Sequence, residues 1–251
     1  MTQLSFNEPA GVLIKTTCVD FPGLVAGSFF LKGCNLRCPY CYNTMLVTGK
    51  SDENDGLSSV NELFLHLEKR QGILKGLVIS GGEPLLNPYT PFIIKKAKSL
   101  GYKIKLDTNG TLSDELEAFV FDKELKPDFI AMDIKTSPKR YATEICPEFS
   151  KFFGNTSYFE KKLRKSAEII SENFKHECYE FRTVLVPELV QKEDIEKMAE
   201  ILPKDASWQF AQFQGGNCLN PAYNEIIPYS DNEISELIEF AKTFIPGAEL
   251  R

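Results

Sequence analysis

Along the chain, short apolar runs alternate with longer stretches in which apolar residues recur every three or four positions. That is the pattern of β-strands each followed by an amphipathic helix. Six runs predict core strands, at 27–31, 76–80, 102–106, 128–132, 179–186 and 208–213. Between them, Ser59 and Glu62 make a capping-box pair ahead of Val60, Leu63, Phe64 and Leu67, and Gly72 stops that helix. Ser157 with Glu160 opens a second helix whose apolar stripe includes Leu163, Ala167 and Ile170. Residues 191–202 bring Ile195, Met198, Ala199 and Leu202 to one side, and Ser230 with Glu233 begins the last helix. Six strands suit an incomplete barrel or an open, doubly wound sheet. The stretch 137–156, with Pro138, Pro147 and Gly154, reads as an insertion. Residues 1–251 read as a single domain with an N-terminal lead-in segment and a C-terminal helix.

Composition narrows the function classes. At 43% hydrophobic the chain is too apolar for a disordered protein. A net charge of −6 leaves no strong basic footprint, so no nucleic-acid partner is expected. Residues 1–15 lack a basic region followed by a long apolar core, and the apolar stretch 25–31 is too short to cross a bilayer. A cytoplasmic protein without membrane attachment is the expectation. Seven cysteines, three of them within eight residues, point in a reducing compartment to metal or redox chemistry.

Those three lie in Gly33-Cys34-Asn35-Leu36-Arg37-Cys38-Pro39-Tyr40-Cys41-Tyr42-Asn43, spaced C-x3-C-x2-C. Pro39 disfavours one regular helix through the motif, so the thiols can converge from a loop. Thiolates are soft ligands for an iron–sulfur cluster or for zinc. Three of them would leave one iron of a four-iron cluster open. A structural zinc would need a fourth ligand; Cys18, Cys146, Cys178, Cys218, His66 and His176 could supply it, but none has a paired spacing.

The cysteine loop, with Tyr40 just before its third cysteine, resembles the signature of the radical S-adenosylmethionine superfamily. The resemblance implies an incomplete (β/α)6 TIM-like barrel with mostly parallel strands. It also implies that Cys34, Cys38 and Cys41 hold a 4Fe–4S cluster whose open iron chelates S-adenosylmethionine. An electron from the cluster would then cleave the sulfonium and give a 5′-deoxyadenosyl radical, with Tyr40 beside the adenine. Gly81-Gly82-Glu83 follows an apolar strand and resembles the superfamily's GGE motif, which recognises the cofactor's amino group. Asp107-Thr108-Asn109-Gly110 and Asp133-x-Lys135 also follow strands, where α/β barrels assemble their sites.

These last two segments resemble motifs of the activases of glycyl-radical enzymes. The resemblance implies contacts from Asp133 and Lys135 to the ribose or methionine part. It further implies a monovalent-cation site at Asp107, Thr108 and Asp133 with a carbonyl near Ala131. Arg182, opposite Phe181 on an alternating strand, joins the cofactor contacts. Gln212 or Gln214 stands where a related activase has a histidine. Lys15-Thr16-Thr17-Cys18-Val19-Asp20-Phe21-Pro22-Gly23 resembles an activase motif in which the aspartate, here Asp20, helps present the partner's glycine loop. The chain most resembles the activating proteins of anaerobic ribonucleoside-triphosphate reductase. That resemblance implies a glycyl-radical enzyme as protein substrate and a flavodoxin or ferredoxin-like electron donor. Two alternatives stay open: a small-molecule radical enzyme of the 7-carboxy-7-deazaguanine synthase type, and a non-catalytic zinc-stabilised binding protein.

Overall fold

The computed structural model describes residues 4–49, 56–148 and 157–251. In chain order the elements are β1 (Pro9–Thr17), β2 (Ala26–Leu31), α1 (Thr44–Thr48), β3 (Ser58–Ser59), α2 (Val60–Arg70) and β4 (Gly76–Gly81). They continue with α3 (Thr90–Ser99), β5 (Lys103–Thr108), α4 (Ser113–Phe121), β6 (Phe129–Asp133) and α5 (Ser157–Asn173). The last are β7 (Tyr179–Leu185), α6 (Lys192–Ala199), β8 (Trp208–Gln212), α7 (Asp231–Lys242) and β9 (Ala248–Leu250). The α/β class with mostly parallel strands is as expected. The chain divides into two compact units, one built chiefly from residues 1–35 and 45–108, the other chiefly from 130–251 with the cysteine-loop residues 36–44.

In the first unit the strand order is β3-β1-β2-β4-β5. Strands β2, β4 and β5 run parallel, while β1 pairs antiparallel with β2 and with β3. The runs at 27–31, 76–80 and 102–106 are β2, β4 and β5. Their near-continuous burial is that of parallel strands covered on both faces. Helix α2 begins as its sequence demands: the Ser59 hydroxyl accepts from the Glu62 N–H at 3.1 Å, and the Glu62 carboxylate accepts from the Ser59 N–H at 2.6 Å. Strand β1 replaces the expected lead-in. Its hydrophobic alternation is lost across three consecutive exposed residues and a register shift between Ile14 and Thr17, so periodicity does not reveal it.

The second unit holds the parallel order β6-β7-β8-β9. Helix α5 buries Leu163, Ala167 and Ile170, the expected stripe, and α7 starts at a capping box of Ser230 and Glu233. Helix α6 is capped by Gln191 and Asp194 and ends at Ala199, so Leu202 lies in the following turn, still buried. The short β9 was not expected, because two of its three residues face outward.

The stretch expected as an insertion is closely packed where it is described. Tyr141, Ala142 and Ile145 are buried, and the Ile145 carbonyl accepts the Arg37 N–H of the cysteine loop at 2.9 Å. Gly154 lies outside the described residues.

Candidate functional site

In the first unit the GGE turn is joined by backbone to the chain entering the cysteine loop. Gly82 donates its N–H to the Leu31 carbonyl at 2.9 Å, and Glu83 donates to the Gly33 carbonyl at 2.8 Å. Gly33 itself donates to the Leu46 carbonyl at 2.8 Å. The approach explains the residue type at 82: a Cβ there would lie 1.9 Å from the Gly33 carbonyl oxygen and 3.3 Å from the Cys34 Cβ. Gly81 sits at φ +112°, with Leu31 backbone atoms inside contact distance of any Cβ. The glycine pair thus permits close backbone packing against the chain entering the loop.

Glu83 is fully buried, and its carboxylate accepts from the Leu85 N–H at 3.1 Å and the Thr108 hydroxyl at 2.9 Å. At the end of β5, Asp107 accepts from the Lys105 ammonium at 2.7 Å and the Ser80 hydroxyl at 3.0 Å. Asp20 follows β1, half-buried, and accepts the hydroxyl of the buried Ser28 at 2.7 Å.

The second unit carries the rest of the loop. Cys38 is buried and Cys41 half-buried. Burial pushes the Cys41 thiol up, against the opposing Asn43 N–H. The loop is held from two sides, by the Arg37 bond to Ile145 and by a segment near 219. There the Leu219 N–H reaches the Cys41 carbonyl at 3.0 Å and the Asn220 N–H the Pro39 carbonyl at 2.8 Å. Tyr40 is buried with its ring edge-on to Phe213, and among the described residues its hydroxyl has no hydrogen-bond partner. Burial raises the Tyr40 phenol well above its ordinary range, so it stays protonated and able to donate. Tyr42 stacks on the same Phe213 and bonds through its hydroxyl to the backbone of Gln214, while Gln212 donates to the Tyr229 carbonyl.

At the end of β6, Asp133 accepts from Arg182 Nε at 2.7 Å and from Lys135 Nζ at 2.8 Å. Burial alone would raise its carboxyl, but the Arg182 and Lys135 charges outweigh that and hold it well below the usual carboxylate range. Burial likewise works against the Lys135 charge. Asp133 foremost, then Tyr40 and Cys38, raise the ammonium well above the usual lysine range. Strand pairing sets Asp133 opposite Arg182 and Arg182 opposite Gln209. A cavity of about 250 Å³ opens over these residues, lined by Asp133, Lys135, Arg182, Gln209 and Arg251 among others. Arg182 does face away from the fully buried Phe181.

Tyr141 is the residue that sequence reasoning missed. Its oxygen accepts the Lys135 N–H at 2.8 Å, yet it lies in the stretch read as an insertion, and no spacing pointed to it.

The sequence model of the Radical SAM superfamily matches residues 28–202. The chain belongs to this superfamily. It is 28% identical over 240 residues to a candidate glycyl-radical enzyme activating enzyme of Methanocaldococcus jannaschii, covering 95% of this chain and 94% of that one. It is also 31% identical over 181 residues to the 7-carboxy-7-deazaguanine synthase of Aquifex aeolicus, covering 71% of this chain and 76% of the relative. Among solved structures it shares the fold of QueE from Escherichia coli, with a TM-score of 0.55 and 15% identity over 96% of this chain and 92% of that one.

As a radical SAM enzyme it uses a 4Fe–4S cluster and S-adenosylmethionine, and its residues suit them. The loop supplies soft thiol donors. The buried Tyr40 hydroxyl has, among the described residues, no hydrogen-bond partner and so is open to one. Among the described residues no three His, Cys, Asp or Glu side chains converge as a single metal ion requires. A cubane makes no such demand, since each cysteine binds a different iron. Thr108 is engaged with Glu83, Asp107 with Lys105, and Asp133 with Arg182 and Lys135. Among the described residues, no helix is long and apolar enough to cross a membrane.

Proposed function

We propose that this enzyme activates a glycyl-radical enzyme by taking hydrogen from a backbone glycine, with anaerobic ribonucleotide reductase as the target. The observation that carries this reading is the similarity to a candidate glycyl-radical enzyme activating enzyme of Methanocaldococcus jannaschii, over 95% of this chain and 94% of that one. Cys34, Cys38 and Cys41 would hold the cluster, whose electron cleaves S-adenosylmethionine to give a 5′-deoxyadenosyl radical.

The other roles belong to the protein's own groups. Gly81 and Gly82 hold the turn against the cysteine loop so that Glu83 can meet the amino group. Lys135 and Arg182, oriented by the ionised Asp133, present positive charge to the cofactor's carboxylate and ribose. Tyr40 covers the adenine and donates its hydroxyl. A closed apolar setting around such groups strengthens their electrostatics and keeps water from the reactive centre. Asp20 would steady the partner's glycine loop, and glycine suits close approach because it has no side chain. The electron donor would be a flavodoxin or ferredoxin-like protein, and the setting the cytoplasm, where cysteines outside the cluster stay reduced.

The similarity to 7-carboxy-7-deazaguanine synthase supports a second reading, a radical reaction on a free small molecule. One assay separates the two. Reduced, cluster-loaded protein is mixed with S-adenosylmethionine and the co-encoded glycyl-radical enzyme, and electron paramagnetic resonance is recorded. The activase reading expects a glycyl doublet on the partner. Turnover of a small molecule with no signal on any protein favours the second.

A further inference from the structure

Lys105 is a buried cation that none of the steps above uses. It sits in the middle of β5 with its side chain 1% exposed. A charge so placed is costly unless it is paired. Its partner is two residues on: along a strand, residues 105 and 107 share a face, and the ammonium lies 2.7 Å from Asp107 Oδ1. Asp107 Oδ2 accepts the Ser80 hydroxyl at 3.0 Å, and the Phe129 ring lies 5.8 Å from the ammonium, inside cation–π range. Thr108, on the opposite face, is directed to Glu83 instead. An alkali ion placed on Asp107 would bring a second positive charge against Lys105. Lys105 already supplies a positive charge to Asp107.

We propose that the Lys105 ammonium, tethered through its own side chain, is the resident cation of this strand end and holds the Asp107 carboxylate by an ion pair where an alkali ion would otherwise be required, so that the enzyme works without monovalent metal cations. The proposal rests on the radical-activase reading, because that resemblance is what assigns Asp107 to a cation site beside the cofactor. Lys105 acts through Asp107 and is a positioning residue. A tethered ammonium differs from a bound ion in one testable way: it does not respond to the salt in the buffer.

The test uses the full chain, cluster-loaded, in tetramethylammonium salts, with sodium or potassium added at constant ionic strength. Three readouts are taken: 5′-deoxyadenosine formation from S-adenosylmethionine, the thermal midpoint, and the sodium NMR line width. The wild type is expected to show no dependence on the alkali ion in any of them. Lys105→Met is expected to lose about tenfold in cleavage in tetramethylammonium, because the half-buried Asp107 carboxylate loses its ion pair. Potassium or sodium should restore it, with sodium line broadening that appears only in the variant. Adding Asp107→Asn to Lys105→Met should remove that rescue. If Lys105→Met does not fold, the wild-type salt series decides alone. A wild type whose cleavage or thermal midpoint rises with sodium in step with line broadening overturns the proposal. So does a Lys105→Met variant fully active in tetramethylammonium. A wild type that cleaves nothing in any salt counts against the radical reading instead, and the line-width and thermal series still answer the cation question.

Discussion

In the first unit the acidic groups that end β4 and β5 are engaged by the protein itself. Glu83 takes a hydroxyl and a backbone N–H, Asp107 takes a lysine and a serine, and the glycines between them are pressed against backbone. In the second unit the acid that ends β6 gathers two cations, and those cations line a cavity. The motifs look alike in sequence, a strand followed by a short polar run. The first is closed on its own donors and on the backbone at Gly33, and the second presents two cations to an open cavity. Substitutions in the first unit should therefore damage folding and cluster assembly, while those in the second should weaken the cofactor and spare the fold.

The largest effect is expected at Gly82. With a Cβ 1.9 Å from the Gly33 carbonyl, Gly82→Ala must displace backbone and should cost about 3 kcal/mol or more. Denaturant midpoints and iron content after reconstitution should fall together. Next is Lys135→Met, which takes one of two cations from Asp133 but leaves Arg182 in place. We expect S-adenosylmethionine to bind at least about tenfold more weakly by calorimetry, a change of ~1.4 kcal/mol, with a normal cluster spectrum. If Lys135→Met instead lost the cluster at normal stability, the distinction between the two units would break down.

Thr108→Val removes one donor from a fully buried carboxylate and should destabilise by about 1–3 kcal/mol in urea. The smallest effect belongs to Asp114, which is exposed and accepts from Lys162 at 2.5 Å and Lys165 at 2.9 Å. Those hydrogen bonds lower its pKa from 3.8 to about 2. A depressed carboxyl contributes stability above its unfolded pKa and loses it as pH falls through the folded value. The stability difference between wild type and Asp114→Asn should thus be small at neutral pH and shrink between about pH 4 and pH 2.

The sequence made the parallel strands legible because their residues are buried on both faces, and the helices legible because Ser59–Glu62 and Ser230–Glu233 cap them. It hid β1, whose exposed middle and register shift erase the alternation, and β9, which is short and half-exposed. In the site, the cysteine loop was visible by its spacing, Asp133 and Lys135 as polar residues after a strand, and Arg182 as the residue opposite Phe181 within one. Tyr141 was not, because it reaches Lys135 from a stretch whose prolines suggested a loose insertion. Lys105 was overlooked because a lysine inside a strand pattern reads as solvent-facing, and only burial reveals its pairing with Asp107. Spacing located groups that act near one another in the chain and missed those joined by packing.

The central claim, that the hydrogen comes from a glycine of another protein, is tested most directly by isotope transfer. A glycyl-radical enzyme partner is prepared with deuterium on its glycine α-carbons and mixed with reduced, cluster-loaded protein and unlabelled S-adenosylmethionine. The 5′-deoxyadenosine formed is then examined by mass spectrometry. The account predicts that the product carries a deuterium, in step with the growth of the glycyl signal on the partner. Product free of deuterium in the presence of a competent partner, or deuterium acquired only from a labelled small molecule, would contradict it.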